Sequence, residues 1–114
     1  MNPQGTCDVA AARTAKALTL VERARWALYR EDIRGAEIEL SAALAELPLI
    51  ALYAQEESDT LAPARSRIEH TLSMVGRSVW LLYRGDTHGA EIELSAALAE
   101  LPKIALYLTE SELS

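Results

Sequence analysis

Apolar residues recur along the chain at helical spacing in two related segments. Gly35 to Tyr53 reappear as Gly89 to Tyr107, and Leu49 against Lys103 is the single difference. A repeat of this kind is typical of one supersecondary unit that is used twice. In both copies the repeated segment follows a stretch with apolar positions at the i, i+4, i+7 spacing of one helix face. The pattern therefore predicts two tandem helix-turn-helix hairpins.

Helix boundaries follow from the turn residues. In the second copy Gly85 suits the left-handed conformation that ends many helices, and Asp86 suits the cap of the next helix. The first copy keeps the capping residue, Asp32, and has Glu31 at the glycine position. Pro63 fits the first turn of the third helix. The predicted helices span residues 9–30, 33–57, 63–84 and 87–111.

These elements predict an all-α fold, a four-helix bundle in which two tandem hairpins are related by pseudo-twofold symmetry. A chain of 114 residues is long enough for one domain with a substantial core and too short for two. We expect residues 1–8 to form a disordered leader and residues 9–114 to form a single helical domain. Its two hairpin repeats cover residues 9–57 and 63–111.

The second helix of each hairpin is apolar on two nearly opposite sides. A four-helix bundle gives each helix only one inward face, so the second stripe needs a partner outside the bundle. We predict that this stripe is an interaction surface. Its members are Ile38, Ala42, Ala45, Leu49 and Leu52 in the first copy, and Ile92, Ala96, Ala99, Lys103 and Leu106 in the second.

Two features modify these helices. Lys103 replaces Leu49, which indicates that the stripe of the second copy is less completely buried. Pro48 and Pro102 each remove a backbone donor inside a predicted helix. Because the apolar pattern resumes after each proline, we expect a kinked continuation rather than a straight rod.

Aromatic pairs recur at i, i+3 spacing near both predicted turns. They are Trp26 with Tyr29, and Trp80 with Tyr83. Their spacing favours a place in the core or at its edge, at the turn end of the bundle. A ligand-binding pair is the alternative.

Charge and composition narrow the range of partners. The net charge of −6 makes duplex nucleic acid and anionic membranes poor partners for the protein as a whole. No run of about 18 apolar residues is present, so we expect no membrane span. The single cysteine, Cys7, has no partner for an internal disulfide, and the first eight residues lack the pattern of a secretory signal. We expect a cytoplasmic protein.

Residues that could carry chemistry are few. His70 and His88 are the only histidines, and no helix carries a Glu-x-x-His pair. A metal site needs three or four converging ligands, so we predict neither a metal nor another cofactor. Phosphate-binding loops and nucleophile signatures are also missing from the sequence. We predict no enzymatic activity.

One stretch suggests a specific alternative. Ile68 to Leu72, in a predicted helix of a four-helix bundle, resemble the histidine phosphotransfer domains. Members of that family present an exposed histidine followed by Lys and Gly. Here the corresponding positions hold Ser73 and Met74. The resemblance implies a degenerate phosphotransfer domain in which His70 is the phosphorylated residue.

Each hairpin also resembles the YfdX family. In the first copy the resemblance runs from Ala24 to Ile33 and continues at Ala36 and from Ala43 to Leu47. In the second copy it runs from Val79 to Leu101. It implies a helical, oligomeric bacterial protein linked to acid and heat stress, without established catalytic residues.

Together these features favour a non-enzymatic bacterial interaction or accessory protein. It would self-associate, with a dimer favoured, or dock a partner protein through the second stripe. A carrier of a small apolar ligand between the second helices of the two hairpins is one alternative, and the phosphotransfer domain is the other.

Overall fold

The computed structural model describes the backbone of residues 3–57 and 62–113, which form four helices. Side chains are described for residues 9–52 and 63–108. The prediction of an all-α fold is confirmed, and Pro63 lies in the first turn of the third helix as expected. The connection between the hairpins, residues 58–61, lies outside the described residues. The helices are α1 Pro3–Tyr29, α2 Ile33–Glu57, α3 Ala62–Tyr83 and α4 Thr87–Leu113.

α1 begins at Pro3, six residues before the predicted start, and extends through most of the predicted leader. Proline suits a first helical turn because the amide hydrogen that it lacks has no partner there. The alanines at positions 10–12 are strong helix formers. Because the preceding residues are mostly polar, apolar periodicity gave no sign of the first turns. Met1, Asn2 and the side chain of Cys7 lie outside the described residues.

A Schellman motif ends α1. The amide of Asp32 donates to the carbonyl of Ala27 at 2.8 Å, and the amide of Glu31 donates to the carbonyl of Leu28 at 3.0 Å. The carboxylate of Asp32 then accepts a hydrogen bond from the amide of Gly35 at 2.9 Å, which caps α2. One residue thus ends the first helix and begins the second.

The second hairpin repeats this turn bond for bond. Asp86 donates to Leu81 at 2.9 Å through its amide, and its carboxylate accepts from the Gly89 amide at 2.8 Å. The residue before the capping aspartate is left-handed in both turns, with φ of 62° at Glu31 and 81° at Gly85. A left-handed conformation costs an L-residue about 1 kcal/mol or more relative to glycine.

The helices pack in chain order around a square. α1 lies beside α2 and α4, and α3 lies beside the same two helices, whereas no Cα atoms of diagonal helices come within 8 Å of each other in the described residues. The body measures 44 × 18 × 18 Å. Short turns make neighbouring helices antiparallel, so the pseudo-twofold axis runs along the bundle and both turns lie at one end. Consequently α2 and α4 occupy opposite corners.

Equivalent residues of the two hairpins form the core. On α1 many of the buried positions hold alanine, among them Ala10, Ala17 and Ala24, which allows close approach of the neighbouring helices. α2 and α4 contribute the larger aliphatic side chains. Their fully buried pairs are Ala36 and Ala90, Leu40 and Leu94, Ala43 and Ala97, Leu47 and Leu101, and Ile50 and Ile104.

α2 and α4 continue through Pro48 and Pro102. The predicted continuation is therefore confirmed, and the kink expected at each proline stays a prediction. Both prolines are exposed, so neither ring enters the packed core.

We expect the variant Glu31→Gly to be more stable than the wild type by about 1 kcal/mol, because glycine adopts the left-handed conformation without a steric clash. Thermal unfolding followed by circular dichroism measures the change. The matched variant Gly85→Glu puts the same side chain into the other turn and should lower stability by a similar amount. Equal melting temperatures for the two variants would contradict the strain assigned to Glu31.

Candidate interaction surfaces

The second apolar stripe of α2 faces directly away from the core. Ile38 is 63% exposed, Leu49 40% and Leu52 52%, and Ala42 and Ala45 are exposed between them. We call these five residues the α2 stripe. The stripe is about 21 Å long at a rise of 1.5 Å per residue. It is a continuous apolar strip rather than the scattered single residues that are normal on protein surfaces.

The equivalent residues of α4 form the α4 stripe. Ile92 and Leu106 are more than half exposed at its two ends, and Lys103 interrupts it. The Lys103 ammonium lies 3.8 Å from the carboxylate of Glu100, one turn earlier. Because α2 and α4 occupy opposite corners, the two stripes face in opposite directions. That either stripe binds a partner stays a prediction.

Glu46 lies beside the α2 stripe and is the most buried carboxylate among the described residues. Its Oε2 accepts a hydrogen bond from Arg13 at 3.2 Å, and its Oε1 lies 3.1 Å from the Lys16 ammonium. Burial raises the pKa of the Glu46 carboxyl, but hydrogen bonds and charge attraction from Lys16 and Arg13 outweigh burial and hold that pKa below its usual value. Glu46 is therefore ionised at neutral pH and links α2 to α1.

The second hairpin keeps one of these ion pairs and, besides the pair of Lys103 with Glu100, adds another. Glu100 accepts a hydrogen bond from Arg67 at 2.9 Å, which raises the pKa of the Arg67 guanidinium. Arg77 makes two hydrogen bonds to Glu93, of 3.2 and 3.3 Å. The equivalent of Glu93 in the first hairpin is Glu39, which forms no ion pair within the described part of the chain. The charges beside the two stripes therefore differ.

The prediction that the aromatic pairs belong to the core is wrong. Trp26 is 66% exposed and Trp80 58%, and their tyrosine neighbours are more exposed still. At the level of Trp26 the buried positions of α1 are Ala24 and Ala27, so the close helix packing leaves no room for an indole. In the second hairpin the Arg84 guanidinium covers the Trp80 ring at 4.7 Å.

An apolar groove of about 640 Å³ lies between α1 and α4. Trp26 and Tyr29 form one wall, with tilted rings whose centroids are 6.2 Å apart. Leu98 and Pro102 of α4 form the other wall. The remaining lining residues are Leu18, Glu22 and Arg25.

This groove is not the site that the sequence suggested for an apolar ligand. That prediction placed the ligand between α2 and α4, which lie diagonally across the core. Leu40 and Leu94 are fully buried there, so a ligand between these helices must displace packed side chains. The groove between α1 and α4 needs no such rearrangement.

The residues considered for chemistry are exposed and dispersed. His70 is exposed on α3, beside Ser73 and Arg67 in a polar surface depression, and His88 is exposed in the first turn of α4. Met74, the other position that corresponds to the phosphotransfer pattern, is buried. Within residues 9–52 and 63–108, no group of three or more His, Cys, Asp or Glu side chains is placed to hold a metal ion. Phosphotransfer at His70 stays a prediction.

Comparison of the chain with protein-family models, with curated proteins and with solved structures finds no match. The resemblance of the hairpins to the YfdX family, and the bacterial stress role that it implies, stay predictions. Among the described helices, none combines the length and the apolar character needed to cross a bilayer.

We expect Glu46→Gln to destabilise the protein at neutral pH and to reduce the loss of stability that occurs between neutral and acidic pH. Since the pKa of Glu46 is lower in the folded than in the unfolded state, the carboxylate stabilises the fold above the unfolded-state pKa. This contribution is lost as the pH falls through the folded-state pKa. Thermal unfolding at neutral and at acidic pH measures both effects. The exposed control Glu69→Gln should change neither, and an equal loss of stability for Glu46→Gln at both pH values would rule out the linkage.

Proposed function

We propose that the protein is a self-associating helical module, in which the α2 stripes of two copies form the principal contact. One observation carries this proposal: the α2 stripe is apolar along its whole length and lies directly opposite the core, so the folding of one chain leaves it in water. Burial of apolar surface stabilises a contact by about 25 cal/mol per Å². Side-chain size and charge favour a second copy of this chain as the occupant.

The order of side-chain sizes along α2 suits an antiparallel copy. The outward positions recur every three or four residues, as in the seam of a coiled coil. When two stripes pair about the midpoint between their alanines, alanine meets alanine at the centre. Ile38 then lies against Leu49 of the partner subunit, and Leu52 lies against Gly35 of the partner subunit. The small residues permit close approach, and the large ones fill the ends.

The same pairing brings unlike charges together. On the flank next to α1, Glu39 of one copy lies at the level of Lys16 of the partner subunit. Lys16 is well exposed beside Glu46 of its own chain, and Glu39 has no ion pair within the described part of its own chain. Symmetry repeats this contact on both sides of the axis. Exposed ion pairs contribute about 0–1 kcal/mol each, so they define the orientation more than the affinity.

The outward residues of the two hairpins are identical except at one position. Between residues 9–34 and 63–88, 10 of 26 positions are identical, whereas the repeated segment of α2 and α4 differs only at Leu49. Core packing explains why the inward residues are kept. It does not explain why the outward residues of α4 match Ile38, Ala42 and Leu52, because the proposed contact uses only the α2 stripe. Gene conversion of this segment is one source of that identity.

The expected affinity is modest. A strip about 21 Å long and about 10 Å wide is smaller than the contact of about 800 Å² per partner in a standard interface. We therefore expect a reversible, concentration-dependent dimer with a dissociation constant on the order of micromolar.

We expect Ala45→Glu to dissociate this dimer while leaving the helix content unchanged. The substituted residue is exposed in a single chain but would place two carboxylates at the apolar centre of the contact. Sedimentation velocity over a range of concentrations measures the association, and circular dichroism measures the helix content. The matched control Ala99→Glu makes the same change on α4 and should leave the dimer intact. A wild-type protein that stays monomeric throughout this range would refute the proposal.

A second candidate function is the binding of a small apolar ligand in the groove between α1 and α4. Its volume of about 640 Å³ lies within the range of about 300–1,000 Å³ typical of ligand pockets, and its walls combine aromatic and aliphatic side chains.

Titration with the neutral fluorophore N-phenyl-1-naphthylamine tests this candidate. We expect enhanced probe fluorescence with the wild type and a clear loss with Trp26→Ala, because the indole forms one wall of the groove. Trp80→Ala removes the equivalent side chain of the other hairpin and should have little effect. Equal losses for both variants would argue against this groove as the site.

A further inference from the structure

The two outward stripes are equivalent in position but differ in one side chain. Leu49 is two-fifths exposed in the α2 stripe, and the same position of the α4 stripe holds Lys103, which is also exposed. All other members of the stripes are identical. In sequence the two stripes therefore differ at a single outward position, and in exposure they also differ at Ala96, which is half-buried where Ala42 is exposed.

We infer that Lys103 closes the α4 stripe to self-association, so that assembly stops at two copies. This inference rests on the proposed function, because it takes the contact between α2 stripes as its starting point. It assigns a role to Lys103, a residue that lies outside the dimer contact.

The antiparallel pairing shows where the lysine acts. In a contact between two α2 stripes no lysine is buried. In a contact between an α2 and an α4 stripe, Lys103 would replace leucine against Ile38, and between two α4 stripes both lysines would face Ile92. Each replacement removes an apolar contact and withdraws an ammonium group from water. The contact between two α2 stripes is therefore the most favourable of the three.

The flanking charges reinforce this order. Glu93, the equivalent of Glu39, is held by two hydrogen bonds from Arg77 of its own chain. His70 occupies the position equivalent to Lys16. On the α4 face the glutamate is therefore engaged within its own chain, and histidine replaces the lysine that we assign to the α2 contact.

The positions of the two stripes explain why assembly stops at a dimer only if one stripe is closed to self-association. The pseudo-twofold axis runs along the bundle, so the two stripes point in opposite directions. A molecule whose two opposed faces bind further copies equally well adds copies at both ends and forms an open-ended array. With Lys103 in place, the outward stripes that the dimer leaves in solvent are its two α4 stripes, and neither adds another copy.

Exchange of the two residues tests this inference. Sedimentation velocity and light scattering would be applied to the wild type, Leu49→Lys, Lys103→Leu and the double exchange, over a wide range of concentrations. We expect a dimeric wild type and a monomeric Leu49→Lys, with dimerisation weakened by about tenfold or more. Lys103→Leu should form species larger than a dimer whose mass rises with concentration. The double exchange should restore a dimer, now through α4.

The possible outcomes separate the two proposals. If the wild type is dimeric and Lys103→Leu remains dimeric, Lys103 does not limit assembly and this inference fails while the proposed function stands. A double exchange that stays monomeric would likewise refute it, because the α4 stripe would then not act as an equivalent contact. If the wild type and Lys103→Leu are both monomeric, the proposed self-association itself fails. Circular dichroism confirms that each exposed substitution leaves the fold unchanged.

Discussion

A helix at the corner of a four-helix bundle can turn only one face to the core, and α2 and α4 each have two apolar faces. The inward face of each is completely buried, with Leu40, Leu47 and Ile50 and their equivalents at zero exposure. The outward face points away from the bundle, so α1 and α3 at its sides do not cover it. α2 and α4 cannot cover each other's outward face either, because they lie at opposite corners. Because the outward faces stay exposed, the charges beside the stripes and the difference between Leu49 and Lys103 bear on how copies of the chain associate.

Local features of the chain were predictable from sequence. The capping aspartate of each turn and the left-handed Gly85 act through hydrogen bonds to neighbours within five residues, so their roles could be inferred without knowing the fold. The left-handed conformation of Glu31 was not predicted. The second apolar stripe was predictable for a related reason, since helical periodicity alone separates the two faces of α2. Prolines at positions 48 and 102 did not end the helices, because the apolar pattern on both sides continues the same faces.

Features that depend on contacts between helices were not predictable. Trp26 and Tyr29 have the spacing of core residues, but alanines occupy the inward positions at that level, and the aromatic rings lie outside. The groove that these rings form depends on Leu98 of α4, which is distant in sequence. The pairing of Glu46 with Arg13 and Lys16 likewise needs the register of α1 against α2.

Both turns lie at one end of the bundle, so α2 ends where α3 begins. Two separate identical hairpins, assembled about the same axis, would form a bundle of the same architecture, and residues 58–61 connect the two hairpins in one polypeptide. Such joining changes what mutation can achieve. In an assembly of identical hairpins every substitution appears on both outer surfaces, whereas after gene fusion each surface can acquire its own residue.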